Sequence, residues 1–178
     1  MRILTAIAMF AAGNMLVAGN LTGKAEVTGQ GGGVTFSQNG GTHGIFGGSV
    51  GFGFPCYIRV PELCSRTIIF GEFDLTPSEN SKFMDIFGGV KIALKPSDKA
   101  EPYLIAGFGG SVDRVSIPGF GSFTSKAYGL HFGVGDRLFV GSNWGITPEI
   151  RWAHYFHHGN DSNSIRYTGG IFYQWGKR

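Results

Sequence analysis

The sequence predicts an all-β fold: an eight-stranded antiparallel up-and-down transmembrane barrel, preceded by a cleavable signal peptide. Its 31 Gly, 16 Phe, 6 Tyr and 3 Trp suit strands and tight turns better than helices. Apolar residues alternate with small or polar ones, and no helical pattern supplies a second layer to cover the apolar faces. After residue 19, no apolar run approaches the roughly 18–20 residues that a membrane helix needs.

Residues 1–19 are predicted to be a signal peptide. Arg2 supplies a minimal positive start, residues 3–17 are mostly apolar, and residues 17–19 offer small side chains for cleavage near Asn20. A short buried helix is the alternative interpretation of this segment. We expect residues 20–178 to form one exported barrel domain, because eight strands use most of that length.

Charge and hydropathy exclude several classes of protein. The formal net charge is +3, or +2 once Arg2 is lost with the signal peptide, and there is no basic stripe of the kind that nucleic-acid binding requires. The mean hydropathy of +0.05 would suit a soluble protein. A membrane barrel gives the same value, because lipid-facing and interior residues average out along each strand.

Eight strands are predicted in order, separated by turns rich in Gly, Asn, Pro, Ser or Asp. They cover residues 26–36, 44–54, 67–75, 83–94, 103–113, a sixth strand from about 125, then 144–156 and 165–175. The first is Gly-rich, with Glu26, Thr28 and Gln30 on one face. Apolar positions facing outward in the next six are Phe46, Val50, Phe52 and Phe54; Ile69, Phe73 and Leu75; Ile86, Val90, Ile92 and Leu94; Leu104, Ala106, Phe108 and Val112; Tyr128, Leu130, Phe132 and Val134; Ile146, Ile150 and Trp152.

Two residues interrupt this alternation. Asp136 falls on the apolar side of the sixth strand, so we expect the pattern to slip there or the strand to end. Pro148 lies in the middle of the seventh strand on its outward face, where it removes a ladder donor and suggests a bulge. The predicted hairpin loops at one end of the barrel are residues 37–42, 76–81, 114–124 and 157–164.

The last strand shows the alternation most clearly. Its apolar and aromatic face carries Ile165, Tyr167, Gly169, Ile171, Tyr173 and Trp175, and its other face carries Arg166, Thr168, Gly170, Phe172 and Gln174. A transmembrane barrel strand needs about 9–11 residues, apolar outward and polar inward, with aromatic residues at the interfaces. This strand meets both requirements.

The same strand carries a motif. Thr168, Gly170, Tyr173 and Trp175 have the spacing polar-x-Gly-x-x-aromatic-x-aromatic. This resembles the terminal signal by which bacterial outer-membrane barrels are recognised for assembly, although residues 176–178 follow the last aromatic residue here. The resemblance implies the barrel assembly machinery as a partner.

The order of the turns and the segments GSVGFGF, EPYLIAGFGG and NWGITPEIRW resemble the small bacterial outer-membrane β-barrel domain family of OmpA/OmpX-type barrels. The resemblance covers nearly the whole mature chain. It implies a monomer in the bacterial outer membrane, in contact with outer-membrane lipid, with both termini in the periplasm.

Charged residues occupy inward positions of several strands. An eight-stranded barrel is just wide enough for side chains to fill it, and unpaired charges there are costly. We therefore expect the charges to pair and hold the barrel closed, rather than to form a catalytic carboxylate pair or an ion pathway. These inward charged residues are Glu72, Asp74, Asp85, Lys91, Glu149, Arg151 and Arg166.

Cys56 and Cys64 lie eight residues apart in a stretch bounded by Pro55 and Pro61. An even number of cysteines in an exported chain favours a disulfide. Two free thiols are the alternative.

No catalytic, cofactor or metal site is predicted. The only metal-like cluster is His154, His157, His158 and Asp161, and it is interpreted as exposed loop residues, because adjacent histidines point to different sides of an extended chain. Glycine pairs such as Gly51 and Gly53 lack the full nucleotide-binding fingerprint and its following helix.

The sequence thus predicts a non-enzymatic barrel with a structural or surface-interaction role and a filled polar interior. A narrow porin-like channel is the main alternative, and a soluble secreted calycin-like barrel is another. A lipid A-modifying enzyme is a third; one deacylase type has a His-x-Ser pair late in its sequence, but here His154 is followed by Tyr155 and Phe156.

Overall fold

The computed structural model describes residues 24–37, 41–53, 66–78, 81–94, 99–117, 121–156 and 161–175. Eight antiparallel strands close into one barrel, in which each strand pairs with its neighbours in the chain and the last strand pairs with the first. The predicted fold class is confirmed. The strands are β1 Ala25–Phe36, β2 Thr42–Gly53, β3 Thr67–Pro77, β4 Ser81–Ala93, β5 Ala100–Ile117, β6 Gly121–Phe139, β7 Trp144–Phe156 and β8 Ser162–Trp175.

The side chains of each strand alternate between the interior and the exterior of the barrel. In β7, exposed and buried residues alternate without a break from Trp144 to Ala153. In β8, Ile165 and Tyr167 are exposed on either side of the buried Arg166. The two-residue period read from the sequence therefore describes the barrel wall, with polar and aromatic groups inside it.

β5 and β6 are longer than the sequence predicts. They remain paired out to Ile117 and Gly121, so the expectation that residues 114–124 form a loop is wrong for all of its described residues. The Gly, Ser and Pro content of this segment is typical of a loop. Cross-strand pairs such as Val115 with Phe123 nevertheless continue the ladder, and Gly121, with φ of 94°, adopts a backbone conformation that favours glycine.

β6 neither slips nor ends at Asp136. Its pairing with β5 continues from Gly135 through Asp136 to Leu138 in a single register. Asp136 keeps its place on the outward face and accepts a hydrogen bond from the backbone N–H of Glu101 at 3.0 Å. The predicted interruption is wrong. This part of β6 lies at the end of the barrel where the turn to β7 follows, and a polar residue can face outward there.

Pro148 causes no bulge. The β6–β7 pairs on its two sides, Gly135 with Glu149 and Leu138 with Ile146, keep the same register, so no extra residue is inserted. On its other side Pro148 pairs with Gly169 of β8. Proline has no backbone N–H to donate, and the β6–β7 ladder lacks its pairs at Asp136 and Arg137. The strand keeps its register across this gap and does not bulge.

The exterior of the barrel is apolar. Ile86, Ile171 and Phe108 are more than half exposed, as few large apolar side chains of a water-soluble protein would be. Aromatic side chains mark one end of this surface, where Tyr173 and Trp175 pack edge to face with ring centroids 4.8 Å apart. No helix in the described ranges is long and apolar enough to cross a membrane.

Three sequence predictions fall outside the described residues and remain predictions. They are the signal peptide over residues 1–19, the disulfide between Cys56 and Cys64, and the loop positions of His157 and His158.

Candidate functional site in the barrel interior

The structure places all seven sequence-predicted interior charges inside the barrel. Their exposed fractions range from 1% to 5%. Three further charged side chains are buried with them, namely Glu26, Glu101 and Arg137. We call these ten residues the interior network: Glu26, Glu72, Asp74, Asp85, Lys91, Glu101, Arg137, Glu149, Arg151 and Arg166.

Arg151 lies at the centre of the interior network. Its two terminal nitrogens bind the two carboxylate oxygens of Glu72 at 2.6 and 2.8 Å, and its Nε donates to Glu149 at 2.7 Å. The fixed fork of a guanidinium matches this two-point geometry. One cation therefore joins β3 to β7 across the barrel, between residues separated by 79 positions in the sequence.

Arg166 connects the interior network at the end of the barrel where β1 turns to β2, β3 to β4, β5 to β6 and β7 to β8. We call this the hairpin end. It bonds Asp74 at 3.2 Å and also bonds Asp85 and the hydroxyl of Tyr155. The other oxygen of Asp74 accepts a hydrogen bond from Gln30 at 2.9 Å. Strands β1, β3, β4, β7 and β8 are thereby linked by one group of contacts.

The third group lies nearer the chain termini. Arg137 pairs with Glu26 at 2.8 Å and with Glu101, and Lys91 bonds Glu149 at 3.1 Å. Tyr103 donates to Glu149 and lies beside Lys91, whose ammonium is 5.2 Å from the ring centroid. Glu149 contacts both Lys91 and Arg151, so the first group, around Arg151, and the third group form one connected set.

His131 lies in the interior beside the charged groups and forms no hydrogen bond with them in the described residues. It is fully buried, and its ring stacks on Phe87 with centroids 4.4 Å apart and on Phe70 at 5.9 Å. Neither ring nitrogen has a hydrogen-bond partner in the described part of the chain. Opposite it, a Cβ on Gly107 would come within 2.1 Å of the His131 Nε2, so only glycine fits there.

Aromatic packing closes the interior beyond Arg166. Phe36 and Phe83 pack edge to face with centroids 5.4 Å apart, and Phe83 packs in the same way on Tyr155 at 5.5 Å. Phe87 and Ala153 complete this apolar layer. The interior is thus filled by ion pairs through its middle and by aromatic rings at the hairpin end.

Sequence reasoning missed Glu101 and Arg137 as members of the interior. The signal was present: extending the two-residue alternation of β6 past Asp136 places Arg137 inward, and extending β5 back from Tyr103 does the same for Glu101. Treating Asp136 as an interruption hid Arg137, and starting the fifth strand at Tyr103 hid Glu101. The alternation of β6 places His131 on the inward face, between the outward residues Leu130 and Phe132, but its stacking depends on Phe70 and Phe87, which come from other strands.

The remaining candidate residues lie on the wall or the rim. Within the described residues, no three His, Cys, Asp or Glu side chains converge as metal ligands. His154 faces outward, where its Nδ1 is 2.8 Å from the side-chain oxygen of Asn163 and its Nε2 is 3.7 Å from Asp161. Thr168, Gly170, Tyr173 and Trp175 all lie in β8, the strand that closes the barrel against β1.

Comparison with known proteins supports the fold. No protein-family model matches the sequence, and no curated protein matches it. Among solved structures, Neisserial surface protein A (NspA) is 14% identical and matches with a TM-score of 0.66, over 86% of this chain and 97% of that one. Ail, the attachment invasion locus protein of Yersinia pestis, is 13% identical, with a TM-score of 0.54 over 86% and 98% of the two chains. The outer-membrane enzyme PagL is 15% identical, with a TM-score of 0.52 over 84% and 97%.

At these identities the likeness concerns the backbone arrangement. The chain, a closed eight-stranded barrel, spans those structures almost end to end. In fold, the chain is a closed eight-stranded antiparallel barrel similar to those of these outer-membrane proteins.

Proposed function

We propose that this chain is a monomeric, non-enzymatic protein of the bacterial outer membrane, whose filled barrel carries surface-exposed hairpins. The observation that carries the proposal is the interior network. Arg151 and Arg166, both at least 97% buried, join carboxylates from opposite sides of the wall, so the barrel interior is occupied by fixed ion pairs. Such an interior stabilises a closed barrel, whereas a porin needs a water-filled channel.

The exterior supports the membrane location. Each strand presents apolar side chains outward, and the aromatic residues Tyr173 and Trp175 stand where an interfacial girdle is expected. Export by the segment 1–19 and assembly through Thr168, Gly170, Tyr173 and Trp175 are part of the same proposal. Both termini would then lie in the periplasm, with the four hairpins of the opposite end outside the cell.

The proposed work of the protein is structural or concerns contacts at the cell surface. The hairpin of β5 and β6 supports the second possibility, because β6 begins at Gly121 while its pairing with β7 begins only at Tyr128. Seven residues of β6, 121–127, therefore extend beyond the end of β7. The relatives in fold include a surface protein and an attachment protein by name, which is compatible with such a role.

Planar-bilayer recording tests the filled interior. We expect the purified wild-type barrel to show no steady conductance. The double variant Glu72→Ala/Arg151→Ala should conduct, because it removes a bidentate pair that fills the middle of the lumen. The matched control Ile150→Ala/Trp152→Ala, on the outward face of the same strand, should stay silent. Steady wild-type conductance would contradict the proposal in favour of the narrow channel.

The enzyme alternative needs a nucleophile next to His154. The position two residues later is Phe156, whose ring packs edge to face on His154 with centroids 4.6 Å apart. A phenyl ring supplies no hydroxyl for a base to activate. Mass spectrometry of lipid A from cells that overproduce the chain should show no change, and a shortened lipid A that disappears in the His154→Ala variant would overturn the non-enzymatic assignment.

A further inference from the structure

Three basic side chains share the outward face of β4, β5 and β6 near the hairpin end. Lys82 pairs with Arg114, Arg114 pairs with Thr124, and Lys126 pairs with Val112, one step nearer the middle of the barrel. All three side chains are exposed. Adjacent strands are roughly 5 Å apart, so the three long side chains can reach a common point above the wall. We call Lys82, Arg114 and Lys126 the rim cations.

The rim cations have no acidic partner in the part of the chain that the structure describes. None of them takes part in an ion pair within the described residues. The polar contact recorded for Arg114 is a weak one, from its Nη2 to the hydroxyl of Ser122 at 3.5 Å. The outward positions of β4, β5 and β6 around them carry no Asp or Glu from residue 82 to 88, 104 to 114 and 122 to 130. The positive charge is therefore available to an external anion.

The wall directly below the rim cations is apolar. Met84 pairs with Val112 beside Lys126, and Ile86 is 63% exposed one step lower. Phe108 and Tyr128 stack in parallel there, with ring centroids 6.3 Å apart and interplanar angle 5°. Going toward the middle of the barrel, the surface therefore changes from cations to a mixture of aliphatic and aromatic side chains.

This order matches an anionic lipid. Its phosphate lies at the level of the membrane surface and its acyl chains lie below, against apolar side chains. A free phosphate ion would use the cations and leave the apolar wall without a role. We propose that the rim cations bind the phosphate of an anionic lipid in the leaflet around the hairpin end, with its acyl chains against Ile86, Phe108 and Tyr128. This site rests on the proposed membrane location.

Native mass spectrometry of the full barrel in nonionic detergent tests the site. We expect the wild-type barrel to bind dimyristoylphosphatidylglycerol more tightly than dimyristoylphosphatidylcholine. Changing Lys82, Arg114 and Lys126 to Gln should weaken phosphatidylglycerol binding by about five-fold per cation removed, a change typical of one basic residue near an anionic surface. Sodium chloride should weaken the wild-type binding as well.

A matched control changes Lys24, Arg66 and Lys99 to Gln at the other end of the barrel, and it should keep the wild-type preference. Equal lipid binding by the rim variant and the wild type, or equal losses in rim variant and control, would overturn the site. Inorganic phosphate added without lipid should bind far more weakly than the lipid. If it binds equally well, the ligand is a free anion and the lipid assignment is wrong.

Folding is measured separately, by heat-modifiable gel migration after insertion into phosphatidylcholine vesicles. The rim variant should insert like the wild type, because the three residues are exposed at the end of the wall. Failure of the wild type itself to insert would contradict the proposed function. Insertion with no preference for phosphatidylglycerol would overturn the lipid site alone.

Discussion

The two faces of β7 show how one strand serves two environments. Arg151 points inward and is 3% exposed, while its neighbours Ile150 and Trp152 point outward and are 52% and 43% exposed. Inside, the charge is stabilised because Glu72 and Glu149 surround it with well-placed acceptors. Outside, the hydrocarbon of the proposed membrane would offer no such partner. Neither face of β7 would thus be in contact with water. The presence or absence of hydrogen-bonding partners decides whether a face accepts charged or apolar side chains.

The largest effect should come from removing a central charge of the interior. Arg151→Met keeps much of the side-chain length but leaves Glu72 and Glu149 without their guanidinium, so we expect a loss of about 3–5 kcal/mol in the free energy of unfolding. Urea unfolding in phosphatidylcholine vesicles, followed by Trp fluorescence, measures it. Arg66→Met, at an exposed position, should change little. Similar values for the two variants would mean that the interior pairs contribute no net stability.

A charge on the exterior face should have the next largest effect. Ile150→Arg puts a guanidinium into the apolar belt, for which we expect a loss of about 2–4 kcal/mol near the middle of the bilayer. Ile150→Phe at the same site should be nearly neutral, since lipid accepts either apolar side chain. The same vesicle unfolding assay compares them. If Ile150→Arg left stability unchanged while the barrel stayed inserted, the exterior of β7 would not face hydrocarbon.

Most of the wall could be predicted from the sequence because alternation is a local property. Trp144, Ile146, Ile150 and Trp152 reveal the outward face of β7 within one short segment. The strand limits at Ile117 and Gly121 could not be predicted, because a Gly- and Ser-rich hairpin has the composition of a loop and is ordered only by pairing with its partner.

The pairing inside the barrel was beyond sequence reasoning for a different reason. That Glu72, Arg151 and Arg166 face inward follows from alternation. Which carboxylate meets which guanidinium depends on the register and height of strands that are not neighbours in the wall, such as β3 and β7. The rim cations were hidden in the same way, because Lys82, Arg114 and Lys126 come together only when β5 and β6 extend past the predicted loop.

The smallest effect should come from a single hydroxyl. Tyr103 donates to Glu149, and its oxygen lies 2.7 Å from the Thr147 hydroxyl, so Tyr103→Phe removes one donor from the buried Glu149 and the hydroxyl partner of Thr147 and should cost about 1–2 kcal/mol. Tyr173→Phe is the matched control, because Tyr173 is 41% exposed on the outward face and should change stability little. Equal small losses in the free energy of unfolding for the two variants would show that the Tyr103 hydroxyl contributes no more to stability than the exposed hydroxyl of Tyr173. A clear excess for Tyr103→Phe would show that the interior depends on hydrogen bonds as well as on charge, whereas the exterior depends on neither.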